Sequence, residues 1–351
     1  MKTALVTTTI NVPTVLALYR KLDPSVKFFV AADEKTPLDA YSFCADIPDC
    51  EMYSPDRQKE LGYECSPLLG WNNDSRRNIA LLEALKWGAE LIISIDDDMI
   101  PMNADYFATF KKLFFGRRQD FHDPGIFHSY TPAYSGLQLG TPLYWLDAGQ
   151  LTVPIAKQRG LPLDHLAVAS AGAAVGVNIG IAQGVILGVP DTDAATAATS
   201  QPMVHSASDI LRNGFVAHPQ ARAVVNSQFT AFRRELAPAF AQFYEHQGRN
   251  TDILASLLMR RIAAERGLFT YFGPPFGFHN RRPRRILPDL RAEMYGLERI
   301  EAWADYLERA PLSSAASVAV QCHSLMRGFA GFDGDLKACA DAFYSDVEKV
   351  L

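Results

Sequence analysis

The chain has no apolar run long enough to cross a bilayer, no cysteine pair at metal-ligand spacing, no excess of positive charge and no glycine-rich phosphate loop beside its first apolar run. Each absence removes a class of protein. Without a spanning run, no transmembrane segment is expected. The five cysteines, Cys44, Cys50, Cys65, Cys322 and Cys339, are odd in number and lack a C-x-x-C pair, which argues against a disulfide framework and fits reduced thiols. The N-terminal Met-Lys-Thr-Ala-Leu-Val-Thr-Thr-Thr has one positive charge and too short an apolar stretch for a signal peptide, so a cytoplasmic location is expected. A net charge of -5 gives no electrostatic reason to expect nucleic acid as a partner. The missing phosphate loop weighs against a nucleotidyltransferase.

What is present is an ordinary globular composition, 48% apolar and 21% charged over 351 residues, enough for a well-buried core. The chain is organised around Leu91 to Pro101, Leu-Ile-Ile-Ser-Ile-Asp-Asp-Asp-Met-Ile-Pro. The isoleucine-rich run reads as a buried strand, and Gly88 closes the helical segment before it. Three adjacent carboxylates repel one another and lose hydration, so a fold keeps them at a strand end when something cationic compensates. Ligands of open parallel sheets bind at the carboxyl ends of strands. Asp96, Asp97 and Asp98 are thus placed to hold a divalent cation and the diphosphate attached to it. The alternative is a solvated acidic turn.

Ala4 to Thr9 reads as a first strand, Pro13 opens a helix, and Val26 to Ala32 reads as a second strand ending at Asp33. That order implies a right-handed crossover and a parallel sheet. Thr8, Thr9 and Asp33 then stand at strand ends, where hydroxyls and a carboxylate can read a base or ribose edge. Between Tyr41 and Asn73 the pattern is irregular. Asp74 or Ser75 then caps a helix striped by Ile79, Leu82 and Leu85. Arg76, Arg77 and Asn78 fall in its first turn, where cations oppose the helix dipole but suit a bound anion.

Downstream, Tyr106, Phe107, Phe110, Leu113 and Phe114 mark another helix. The aromatic segment with Tyr130, Tyr134, Tyr144 and Trp145 either fills a core or stacks on sugar rings of an acceptor. Residues 167–189 are small and glycine-rich, a composition that permits close approach of a backbone to a ligand or tight packing between elements. Asp252 opens an amphipathic helix, which it either caps or leaves free to act as a general base. His279 suits Mn(II) as a ligand and precedes Arg281, Arg282, Arg284 and Arg285, which can grip phosphate. From 286 to 351 the pattern is helical without a catalytic signature, so this extension is expected to pack on the core or to form a homodimer.

Arg77-Asn78, a helix, Gly88, a hydrophobic strand and Asp96-Asp97-Asp98 resemble the core of GT-A glycosyltransferases. Three later blocks narrow the resemblance to the reversibly glycosylated polypeptides, the UDP-arabinopyranose mutases. They are Pro190-Asp191-Thr192-Asp193-Ala194, Asn226 through Phe232-Arg233-Arg234-Glu235-Leu236, and Gly248-Arg249-Asn250-Thr251-Asp252 followed by His279. The resemblance implies an α/β fold of GT-A type, with a Rossmann-like, mostly parallel central sheet flanked by helices over 1–285 and a helical extension over 286–351. It implies a metal-dependent transferase moving a sugar from a nucleoside diphosphate, UDP by inheritance, to a glycan or other hydroxyl acceptor, with inversion. Asp96 would contact ribose, Asp98 and His279 would hold Mn2+ or Mg2+ with Asp96, and Arg77 would contact base or diphosphate. Thr8, Thr9, Asp33, Arg76, Asn78 and Asp97 complete the expected nucleotide site, with Asp252, Asp193 and Asp191 as candidate catalytic carboxylates. One departure matters: the region where the mutases carry their glycosylated arginine is Ala171 to Gly180 here and contains none. A transferase is therefore expected ahead of a mutase or self-glycosylating protein, with a non-catalytic nucleotide-sugar-binding subunit as the alternative from another class.

Overall fold

The computed structural model describes residues 1–116, 126–127, 171–172, 177–189, 194, 204–207, 212–217, 224–279 and 285–351. The apolar runs become strands wherever they can feed two buried faces. β1 (Thr3–Thr9) sends Ala4 and Val6 into one core and Leu5 into the other, because successive side chains of a strand point to opposite sides. After α1 (Leu16–Leu22) the chain returns as β2 (Lys27–Ala32), parallel to β1. It passes through α2 (Leu38–Ala45) to β3 (Cys50–Tyr53), parallel to β2, and then α3 (Pro55–Glu60), capped by the Ser54 hydroxyl. Helix α4 (Arg77–Trp87) is stopped by Gly88 at φ 86°, a left-handed position that a glycine accepts without penalty. β4 (Leu91–Ile95) is buried over its full length and lies parallel to β1.

To this point the sheet is parallel, as the strand and helix alternation predicts. The rest differs. β5 (Met99–Pro101) and α5 (Tyr106–Phe115) follow, and then two short strands, β6 (Ile126–Phe127) and β7 (Ala171–Gly172). β8 (Asn178–Gly188), β9 (Phe215–Ala217), β10 (Phe229–Arg233) and β11 (Leu268–His279) complete a sheet of 11 strands in the order β3-β2-β1-β4-β10-β8-β11-β9-β6-β7, with β5 on β11. β10 runs antiparallel to both neighbours, and β5 and β9 run antiparallel to β11. The expected mostly parallel, Rossmann-like GT-A sheet is thus corrected to a mixed sheet that curls into a half-barrel. The curl follows from β11. Its register on β8 breaks at Phe269/Thr270 and at Gly273/Phe276, and such irregularities bend a strand. The far end of β11 then reaches β5, which lies just beyond β4 in the chain.

Glycines of β8 and β11 have a packing role. The Phe229 ring of β10 lies so close to Gly184 and Gly277 that a Cβ at either position would come within 2.3 Å or 2.7 Å of it. One face of the sheet is covered by α1 and α5, the other by α4, by α7 (Thr251–Glu265) after the short α6 (Tyr244–Gln247), and by the C-terminal helices. Those are α8 (Ile286–Arg309), α9 (Val318–Gly328) and α10 (Gly334–Val350). Trp303 of α8 is fully buried and donates its indole N–H to the Leu254 carbonyl of α7 at 3.1 Å. The extension therefore shares the core of the residues before it. No described helix is long and apolar enough to cross a membrane.

Candidate functional site

The carboxyl ends of β1 and β4, the loop before α4 and the end of β11 enclose a polar cleft of about 290 Å³. Seven of the residues expected from the sequence line it: Thr8, Thr9, Arg77, Asp96, Asp97, Asp98 and His279. Strand order explains the meeting. β1 and β4 are parallel neighbours, so their carboxyl ends coincide, and β11 arrives through β5 beside the aspartate triplet.

The three aspartates are held differently. Asp96 receives Arg77 Nη2 at 2.6 Å, an ion pair in which the arginine side chain is 3% exposed. Burial pushes the Asp96 carboxyl up to about 6, opposed by Arg77 and aided by Asp74 and Asp98. Asp97 is bonded by the Thr9 hydroxyl and, at 3.3 Å, by Asn11 Nδ2. Burial raises it above the usual carboxylate range in spite of those two bonds. Asp98 is exposed, and its Oδ2 lies 3.2 Å from His279 Nε2. The other ring nitrogen, His279 Nδ1, faces the Val189 carbonyl at 3.0 Å. A carbonyl only accepts, so Nδ1 carries a proton, and Nε2 turns toward a carboxylate. That contact is favourable for an imidazolium or with a cation between the two groups. A metal-bound histidine commonly donates its second N–H to a backbone carbonyl in this way.

Arg77 has further capacity. Its Nη2 also reaches the Ile95 carbonyl at 3.3 Å, but its Nε and Nη1 are buried without a hydrogen-bond partner among the described residues. Buried donors left unpaired are costly, which makes a guanidinium lining a cleft a natural receiver for an anionic ligand.

Three expected nucleotide contacts do structural work elsewhere. The buried Asp33 carboxylate accepts from the backbone N–H groups of Asn72 at 2.6 Å, Asn73 at 3.2 Å and Glu34 at 2.8 Å, which fastens the cleft wall instead of lining the cleft. Arg76 turns inward to the Gly70 carbonyl at 2.6 Å and the Ser66 carbonyl at 2.7 Å, with its guanidinium 3.5 Å over the Trp71 ring. Asn78 forms a two-way clamp with the Gln242 backbone, donating at 2.6 Å and accepting at 3.0 Å. Asp252 does not line the cleft either. It is 2% exposed, and its carboxylate accepts from Ile253 N–H at 2.9 Å and Ser227 N–H at 3.2 Å. The next residue of that loop, Gln228, accepts at its carbonyl from Asp96 N–H at 3.1 Å, so α7 is tied to the triplet. Asp191, Asp193, Tyr130, Tyr134, Tyr144, Trp145, Arg281, Arg282 and Arg284 lie outside the described residues.

The sequence reading gave no site role to Asn11, Asn72 or Asn73 and read Asp74 only as a helix cap, yet all four also line the cleft. Asn72 holds φ 59°, a backbone conformation that asparagine tolerates better than most residues. An Asn-Asn-Asp run just before a helix was the available signal. The wall it forms is braced from behind by α10, whose fully buried Asp346 accepts from Glu64 N–H at 3.0 Å and Cys65 N–H at 2.8 Å.

Among the described residues no group of three His, Cys, Asp or Glu side chains is set to hold a metal ion. Asp98 and His279 supply two donors 3.2 Å apart, a separation that suits one divalent ion at coordination distances of about 2.1 Å. No protein-family model and no curated protein matches the chain.

Proposed function

We propose that the cleft binds a nucleoside diphosphate sugar and that the protein transfers the sugar to a hydroxyl acceptor. The observation that carries this reading is the meeting, in one polar cleft, of the Asp98–His279 pair and Arg77, whose Nε and Nη1 have no hydrogen-bond partner among the described residues. A guanidinium with donors to spare suits phosphate oxygens. Two protein donors suit a Mg2+ or Mn2+ ion that takes its other ligands from phosphate and water, the usual coordination of such ions. When bound, that ion supplies Lewis-acid neutralisation of the departing diphosphate.

The chain's own residues do the rest. Arg77 binds the diphosphate while its Nη2 fixes Asp96. Asp97, held by Thr9 and Asn11, orients the hydroxyls of the ribose. Asp252 positions the loop at Ser227 and Gln228, and through it the backbone of Asp96. A buried carboxylate bound by two amide groups fits that anchoring work better than proton abstraction.

The test is turnover of UDP- and GDP-sugars with Mn2+, followed by chromatography of released nucleotide and product. Hydrolysis or transfer that drops at least about 100-fold in Arg77→Ala is expected, because an arginine contacting transferring phosphate stabilises developing charge. Metal-dependent nucleotide binding without any turnover would identify a non-catalytic nucleotide-sugar-binding subunit. Turnover unaffected by Arg77→Ala would overturn the reading.

A further inference from the structure

Helix α8 and the single turn Gly248–Asn250 that leads into α7 are fitted closely together. Gly248 holds φ 63°, and a Cβ there would come within 1.9 Å of the Ala292 carbonyl oxygen. A Cβ at Gly296 would come within 2.3 Å of the Asn250 side chain, whose Nδ2 donates to the Glu293 carbonyl at 3.0 Å. Glu293 stands at the centre of this junction. Its side chain is 1% exposed, its Oε1 lies 3.5 Å from Arg249 Nε, and Arg249 also pairs with Asp289 at 3.1 Å. The other carboxylate oxygen, Oε2, accepts from the backbone N–H of Ala194 at 2.8 Å, 99 positions away in the chain.

Ala194 is buried and lies five positions after Val189. Val189 accepts at its carbonyl from His279 Nδ1 at 3.0 Å and donates its N–H to the His279 carbonyl at 2.8 Å. Gly188 is bridged to Val204 in both directions, at 2.9 Å and 2.7 Å. Five residues span at most about 18 Å, so Glu293 and His279 hold the two ends of one short tether. A buried carboxylate paired with an arginine is a poor source of stability, because apolar side chains of similar volume often serve as well.

We propose that Glu293 is a positioning residue for His279. By fixing Ala194 it sets where Val189 presents its carbonyl, and that carbonyl holds the imidazole with Nδ1 protonated and Nε2 turned toward Asp98. The C-terminal extension thereby acts on the Asp98–His279 pair without lining the cleft. The consequence for a divalent ion rests on the proposed nucleotide site; the consequence for the imidazole does not.

The test uses the full chain and two readouts. Binding of Mn2+ alone, followed by loss of the free-ion paramagnetic resonance signal, should weaken about tenfold in Glu293→Ala, the lower end of what removing support behind a metal ligand costs. Glu293→Gln keeps a carbonyl oxygen for Ala194 and should stay within about threefold of wild type. Trp303→Phe loosens the same helix by removing its bond to Leu254, so it should lower the melting temperature and leave Mn2+ affinity unchanged. Should Glu293→Ala fail to fold, Arg249→Met with Glu293→Leu takes its place, since an apolar pair can replace a buried ion pair and equally removes the acceptor of Ala194. The second readout needs no metal: nitrogen-15 NMR of the histidine rings at about pH 8, where an ordinary imidazole is neutral, with His279 assigned by its loss in His279→Gln. Wild type and Glu293→Gln should show the Nδ1–H tautomer, and Glu293→Ala a gain of Nε2–H. A wild-type chain that binds no Mn2+ removes the cation reading alone, and the tautomer then decides the role of Glu293. An unchanged tautomer in Glu293→Ala, or a loss of Mn2+ affinity matched by Trp303→Phe, would overturn the proposal.

Discussion

Asp346 lies far from the aspartate triplet in the chain, yet it holds the wall of the same cleft. It is fully buried in α10 and accepts from two backbone N–H groups, of Glu64 and Cys65, with Lys349 Nζ at 3.3 Å. The segment it grips leads into Ser66, which anchors Arg76, and on to Asn72 and Asn73, which Asp33 fastens. Asp346→Ala removes a charged acceptor from both amides. A hydrogen bond to a charged group contributes about 1.5–3 kcal/mol, but the Glu64 side recovers part of its loss from water because that residue is exposed. The expected cost is about 2–3 kcal/mol, which for a chain of this size lowers the melting temperature by roughly 3–4 °C. Asp346→Asn keeps one acceptor oxygen and should lose about half as much. Differential scanning calorimetry reads the stability, and amide hydrogen exchange at Cys65 reads the local effect. An Asp346→Ala protein melting within about 1 °C of wild type, with Cys65 exchange unchanged, would refute the role assigned to this carboxylate.

Other parts of the structure make equally concrete demands. Gly184→Ala places a methyl group against the Phe229 ring, where the nearest atom lies 2.3 Å from the added Cβ, and should cost about 1–3 kcal/mol in urea unfolding. Phe229→Leu in the same chain should recover part of that loss. Burial raises Asp96 to about 6, so between its unfolded value near 4 and that value the native state binds more protons than the unfolded state. Its contribution is therefore fully present below about pH 4 and is lost as the pH rises through about 6, an effect of roughly 3 kcal/mol. The difference in unfolding free energy between wild type and Asp96→Asn, followed from pH 4 to 8, should trace that loss. A flat difference would remove the shift.

Much of the first half was legible because its signals are local. β1, β2 and β4 stand where apolar runs end in turn residues, and Gly88 ends α4 as its conformational freedom predicts. The direction of a strand is not a local property. Nothing in Phe229 to Arg233 says that β10 will lie antiparallel to β4, and no periodicity announces that β11 will bend across to β5. The glycine-rich run that holds Gly184 was visible as a stretch suited to tight packing, but its partner Phe229 was not. The site divides in the same way. Arg76 and Arg77 are adjacent and look alike in sequence, yet one faces Ser66 and the other Asp96, which only the tertiary fold decides. Asp33 stands at its strand end as expected, but a carboxylate there accepts from whatever amides the next loop brings, and that loop is Asn72-Asn73. For Asp252 the helix cap and the base were both open, and the amides of Ile253 and Ser227 occupy the carboxylate.

The central claim is that the cleft takes a nucleoside diphosphate together with a divalent ion at Asp98 and His279. Thermal shift of the full chain with UDP and GDP, each with and without Mn2+, tests it most directly, because a ligand at 100 times its dissociation constant stabilises the folded state by about 2.7 kcal/mol. The account predicts a rise of several degrees with one of the nucleotides that requires Mn2+ and disappears in Asp98→Ala, while the melting temperature of that variant alone stays near wild type. A folded wild-type protein that shifts with neither nucleotide, or shifts equally in Asp98→Ala, would contradict it.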